Sequence, residues 1–218
     1  MTPNVDAAAI KATEILLRLE TNPPITPMLI LRTMPNVLVL TFAEMALTIG
    51  ADRRNVLTSF ASDNRDVITS VMNVNGELRY VVVYNQRLPF YMLQRGLARE
   101  LGHIVLQHDG SLPEDVRAEE ALIFARHLLC PRPLIKALQE SIHPLTVETV
   151  GNVTGCYERC LKGIQHTPGA NVPAEMNRRV RALFADYIEN FVDCYPILQT
   201  DDVSEIADFG TYMDNYVE

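Results

Sequence analysis

Residues 97–108 read LARELGHIVLQH. Glu100 and His103 have the spacing of the last two fixed positions of H-E-x-x-H. That motif works because positions i and i+4 lie on one helix face. Two imidazoles there reach one zinc ion, and the glutamate beside the first acts as general base on the metal-bound water. Here the position of the first histidine holds Arg99. A guanidinium has only donors, stays protonated and sets a fixed positive charge where a dication would sit. A catalytic zinc needs about three protein ligands, and this stretch offers one, His103. An E-x-x-H pair by itself recurs by chance, and its plain reading is a core histidine beside a solvated glutamate. His108 comes five residues after His103, past the helical repeat, and reads as an exposed residue at the helix end.

Other residues with chemical potential are weaker. Cys156 and Cys160 in GCYERC would share a helix face and could chelate a metal with His166. Four ligands at zinc spacing are not visible, so core or boundary cysteines are the stronger reading. The surrounding TVETVGNVTGCYERCLKGI has a helix-turn-helix rhythm with Gly151-Asn152 at the turn. Its second helix offers Arg159 and Lys162 but also Glu158, which favours packing over contact with DNA.

The elements that must hold Arg99, Glu100 and His103 are legible. The stretch from about Phe90 to Gln107 reads as one helix. Leu93, Leu97, Leu101 and Ile104 form one stripe, while Met92, Gly96, Arg99, His103 and Leu106 lie on another face, so the helix is buried on several sides. Gly96 and Gly102 each cost a helix roughly 1 kcal/mol against Ala, and close packing is the use that offsets this. Upstream, Asn75-Gly76 is the preferred pair for a type I′ turn, and it joins strand-like runs over Val67–Val74 and Glu77–Tyr84. Val37–Leu40 reads as a short buried strand, and Phe42–Ile49 as a helix ended by Gly50. Downstream, Pro113 opens a helix over EDVRAEEALIFARHLL that stops at Cys130-Pro131-Arg132-Pro133. A further amphipathic helix spans about Pro173–Phe191.

The chain has 218 residues, 48% hydrophobic and 21% charged, with a net charge of −8 and four cysteines. An acidic surface argues against nucleic-acid or anionic-membrane binding, since phosphate neutralisation needs clustered Lys and Arg. No stretch approaches the ~18 unbroken apolar residues of a spanning helix. The opening MTPNVDAAAIKATEILLRLE lacks a basic region ahead of an apolar run, and reads as an amphipathic helix rather than a signal peptide. The expectation is a cytoplasmic protein with free thiols. From Gln199 on, Asp201, Asp202, Glu205, Asp208, Asp214 and Glu218 have no basic residue among them and read as a loose acidic tail.

The order YVVVYN, then LARELGHIVLQH, then EEALIFARHLLCP resembles the ImmA/IrrE family of zinc-peptidase-like proteins over about residues 25–135. The resemblance implies an α+β, zincin-like metallopeptidase scaffold: a small antiparallel sheet with a β-hairpin packed on helices, followed by a helical C-terminal extension. It divides the chain into a peptidase-fold domain at 1–135, an extension at 136–198 and the acidic tail at 199–218. Active members of the family cleave helix-turn-helix repressors, using two histidines and a downstream glutamate on zinc. Carried over, Glu100 matches the general base, vestigial here, His103 the second histidine, and Arg99 replaces the first ligand. The third ligand position falls at Ala118, three before Ala121, and Leu122 stands where the family has asparagine. Glu119 or Glu120 could serve only if the register shifts. The resemblance therefore implies a catalytically degenerate protein with no cofactor. Its partner would be a protein, such as a transcriptional repressor of a phage or mobile element, with no membrane or nucleic acid. The alternative is an active zinc endopeptidase. Arg99, four residues before His103, is expected to reach towards Glu119 or Glu120.

Overall fold

The structure, a computed structural model, describes residues 1–50, 66–156, 161 and 169–198. The acidic tail, Glu158, Arg159, Cys160, Lys162 and His166 lie outside the described residues. The fold is α+β. Helix α1 (Val5–Leu19) and α2 (Pro27–Thr33) precede strand β1 (Val37–Thr41) and α3 (Phe42–Thr48). Strands β2 (Val67–Val74) and β3 (Glu77–Tyr84) follow, then α4 (Phe90–Val105) and α5 (Glu114–Leu129). Helices α6 (Arg132–Ser141), α7 (Val147–Thr154), α8 (Ala174–Leu183) and α9 (Ala185–Leu198) complete the described chain.

The hairpin forms as its turn chemistry dictates. Asn75 and Gly76 both take positive φ, 55° and 89°, as a type I′ turn requires. The register pairs Val67 with Tyr84 and Val74 with Glu77. The sheet is mixed, however, and not wholly antiparallel: the order is β1-β3-β2, and β1 runs parallel to β3. A parallel neighbour needs a long crossover, and β1 is separated from β3 by α3 and the whole of β2. β3 is therefore central and buried on both faces. Val82 joins the main core, whereas Val81 and Val83 pack with Phe42, Met45 and Ala46 under α3. This is why YVVVY shows no polar alternation. β1 is half-buried along its length rather than fully buried.

Helix α4 lies between the sheet and α5, and α1 packs against α5 from outside. The glycines of α4 are contact points. A Cβ on Gly102 would stand 3.0 Å from Phe124 Cδ1 and 3.2 Å from the Ala121 backbone; one on Gly96 would stand 2.5 Å from Val67 Cγ2. Only a hydrogen lets α4 approach α5 on one side and β2 on the other.

The extension differs from the sequence reading in two places. Gly151-Asn152 lies inside α7, which ends instead at Gly155, with φ 69°. The expected single helix over Pro173–Phe191 is two, broken at Phe184, which is fully buried and leaves helical geometry at ψ 2°. Among the described residues no helix is long and apolar enough to cross a membrane.

Candidate functional site

Arg99, Glu100 and His103 project from α4 beside β2, the edge strand of the sheet, and line two adjoining clefts. One, of about 200 Å³, is bordered by Val67, Met92, Arg95, Arg99 and Glu100. The other, of about 150 Å³, is bordered by Thr69, Tyr80, Glu100, His103, His108 and Arg117. Glu100 is shared between them. It is buried, 6% exposed, rather than the solvated glutamate of the plain reading.

Arg99 does not reach Glu119 or Glu120. Its terminal nitrogen lies 3.8 Å from Glu100 Oε1, and its buried Nε makes no hydrogen bond. The pair sits on adjacent residues of one helix, where side chains diverge by about 100°, so only a loose contact is available. Arg99 thus places its charge beside the position of the general base.

His108 is the main departure from expectation. Helix α4 ends at Val105, and Gln107 takes positive φ, 55°. That left-handed residue turns His108 back into the fold, and its N–H donates to the His103 carbonyl at 3.0 Å. The side chain is 2% exposed. Its Nδ1 is 2.8 Å from His103 Nδ1, and its Nε2 is 2.9 Å from Glu120 Oε2. One assignment of tautomers satisfies both contacts with an ionised carboxylate. His108 Nε2–H donates to Glu120, His103 Nδ1–H donates to His108 Nδ1, and His103 Nε2 is left an acceptor. The other Glu120 oxygen accepts from the backbone N–H of Asn4 at 2.6 Å. Glu120 therefore ties the histidine pair to the start of α1.

On α5, Glu120 is the one of the two candidate carboxylates that joins the site; Glu119 is half-buried and Ala118 is exposed. Arg117, one turn before Glu120, lines the cleft instead. Sequence reasoning missed Arg117 and Asn4. The spacing 117, 120, 124 on one helical face could have found the arginine; nothing local points to Asn4, which is 116 residues away in sequence from Glu120.

The zinc that the resemblance implies can be tested against these donors. Position 99 carries a permanent cation, position 118 no donor, and Arg117 adds a second donor-only group beside His103. Among the described residues no three His, Cys, Asp or Glu side chains are arranged to hold a metal ion.

Cys156 lies just beyond the end of α7, and its sulfur is 3.5 Å from that of Cys130.

The histidine of α5, His127, has a measurable consequence. His127 is 4% exposed. Burial, with the like charges of Arg132 and then Arg126 beside it, lowers its pKa to about 3. The unfolded chain then binds a proton here that the folded chain refuses, between the ordinary value near 6.5 and about 3. Stability should fall as the pH drops through that window, by about 2 kcal/mol between pH 7 and pH 5 from this group. Denaturant melts at the two pH values check it: His127→Gln should flatten the dependence, and an undiminished slope in that variant would rule this group out as the cause.

Residues 51–154 match the family model described as the IrrE N-terminal-like domain. No curated protein and no solved structure matches the chain. The matched segment contains the hairpin, α4 with Glu100 and His103, and α5 packed against it at Gly102, so residues 51–154 carry an IrrE N-terminal-like domain of metallopeptidase fold.

Proposed function

We propose that this protein is a catalytically degenerate member of its family that acts by binding a protein partner rather than by hydrolysing it. The observation that carries this reading is Arg99, which stands at the helical position of the first zinc ligand with its guanidinium 3.8 Å from the carboxylate of Glu100. A fixed cation beside Glu100 repels the dication whose water that carboxylate would deprotonate. Among the described residues the outer edge of β2 pairs with no other strand, and such an edge is a template for an extended segment of a partner. In the setting of this family the partner is a helix-turn-helix repressor, as in a phage or mobile element. Neither membrane nor nucleic acid is required.

The second reading, an active zinc endopeptidase, draws on the ordering of His103 by His108 and Glu120. A histidine ligand is commonly oriented by just such a bond through its other ring nitrogen. The two readings separate in one experiment. Purified protein is assayed for metal, then mixed with a purified helix-turn-helix repressor, with and without EDTA. The proposed function requires well under one zinc per chain, a complex that survives the chelator, and an intact repressor. Stoichiometric zinc with cleavage abolished by EDTA would overturn it.

A further inference from the structure

We propose that Cys130 and Cys156 form a thiol pair that closes to a disulfide on exchange with a small disulfide oxidant, making this a modification site that joins the end of α5 to the end of α7. The two sulfurs are 3.5 Å apart, with the Cys130 thiol donating to the Cys156 sulfur. A disulfide needs about 2.05 Å, so the gap to be closed is about 1.5 Å.

The placement of the two residues suits that step. Cys130 caps α5, where the backbone has left helical geometry at φ −128° and ψ 70°, and its side chain is 1% exposed. Cys156 follows Gly155, whose positive φ ends α7, and is partly buried where Cys130 is fully buried, so it is the sulfur an oxidant meets first. Both lie at helix ends rather than within helices, where a small change of side-chain torsion does not break a backbone ladder. The hydrogen bond from Cys130 holds the Cys156 thiol below its usual range, and the thiolate is the attacking species.

The chemistry balances with a low-molecular-weight disulfide such as oxidised glutathione. The Cys156 thiolate attacks one of its sulfurs, forming a mixed disulfide and releasing one glutathione thiolate. Cys130 then gives its proton to solvent and attacks the Cys156 sulfur, releasing the second. Two protein thiols are oxidised to one disulfide, and one oxidant disulfide is reduced to two thiols. The product closes a loop between cysteines 26 positions apart in sequence, which constrains the unfolded chain.

The test uses the full chain with oxidised glutathione, followed by peptide mapping without reduction. The expected result is a Cys130–Cys156 cross-linked peptide, loss of two of the four alkylatable thiols of the chain, and a rise in Tm of about 5–10 °C that dithiothreitol reverses. Cys130→Ala and Cys156→Ser should each abolish the cross-link and the rise. Because Cys130 is fully buried, Cys156→Ser is the deciding variant should the other fail to fold. A cross-link from Cys156 to Cys160 or Cys194, or a stable glutathione adduct with no change in Tm, would overturn the assignment.

Discussion

The Arg99→His, Ala118→Glu double variant should bind zinc at least about 100-fold more tightly than the parent protein. Changes to groups that merely orient a ligand move metal affinity 10–100-fold, and two restored ligands should exceed the top of that range. A histidine at 99 would share a helix face with His103, four residues on. His103 already has its ring oriented by His108, with Nε2 as an acceptor. Ala118 is exposed, so a glutamate there meets no steric barrier. Competition against a chromophoric zinc chelator measures the gain. If Arg99→His alone equals the double variant, Glu120 supplies the third ligand and the alignment at 118 is displaced. No gain in either would mean that the site has drifted further than two residues, with Arg117 beside His103 the first suspect.

Glu120→Ala should cost about 3 kcal/mol, lowering Tm by about 6–12 °C. The carboxylate is 8% exposed and makes two hydrogen bonds, to the Asn4 N–H and to His108 Nε2. Its removal strands the buried His108 donor on the returning loop after α4 and takes away the partner of the Asn4 N–H at α1's entry. Glu120→Gln is the informative partner variant. Its amide oxygen still accepts from Asn4, and its NH₂ can donate to His108 Nε2 once both histidines reverse tautomer. It should lose less than half as much stability. Equal losses in the two variants would show that the charge, and not the hydrogen-bond pattern, holds the network. Arg99→Ala should cost less than either, since Arg99 is one-third exposed and its ion pair with Glu100 is 3.8 Å long.

Local signals determined most of the elements. The hairpin strands fall at Val67–Val74 and Glu77–Tyr84, and the helix after Pro113 at Glu114–Leu129, each as read from the sequence. Turn chemistry at Asn75-Gly76 and the rigid prolines at 113 and 131 act over a few residues, so a linear reading captures them. The pairing of β1 beside β3 was not legible, because a strand's neighbour is chosen by the fold's long-range burial and not by its own composition. The break at Phe184 was missed for a related reason: the apolar face of 173–191 is continuous, and the decision to bend comes from burying Phe184 and Val180 together in the main core.

The site divides in the same way. The residue types at 99, 100, 103 and 118 are facts of the sequence, and helical periodicity places Arg99 and His103 on one face. What the sequence withheld is which groups meet. His108 looked like a loop residue because periodicity stops at the helix end, yet a single left-handed residue, Gln107, swings it back onto His103. Glu120 could be told from Glu119 only once α5 was seen against α4. Arg99 was expected to bridge the two helices, but the fold gives Glu120 a histidine and a backbone N–H as partners and leaves the guanidinium beside Glu100. Spacing along one helix fixes which side chains share a face. Only the packing of one helix on another decides which face meets which, and that is set by contacts as short as the one at Gly102.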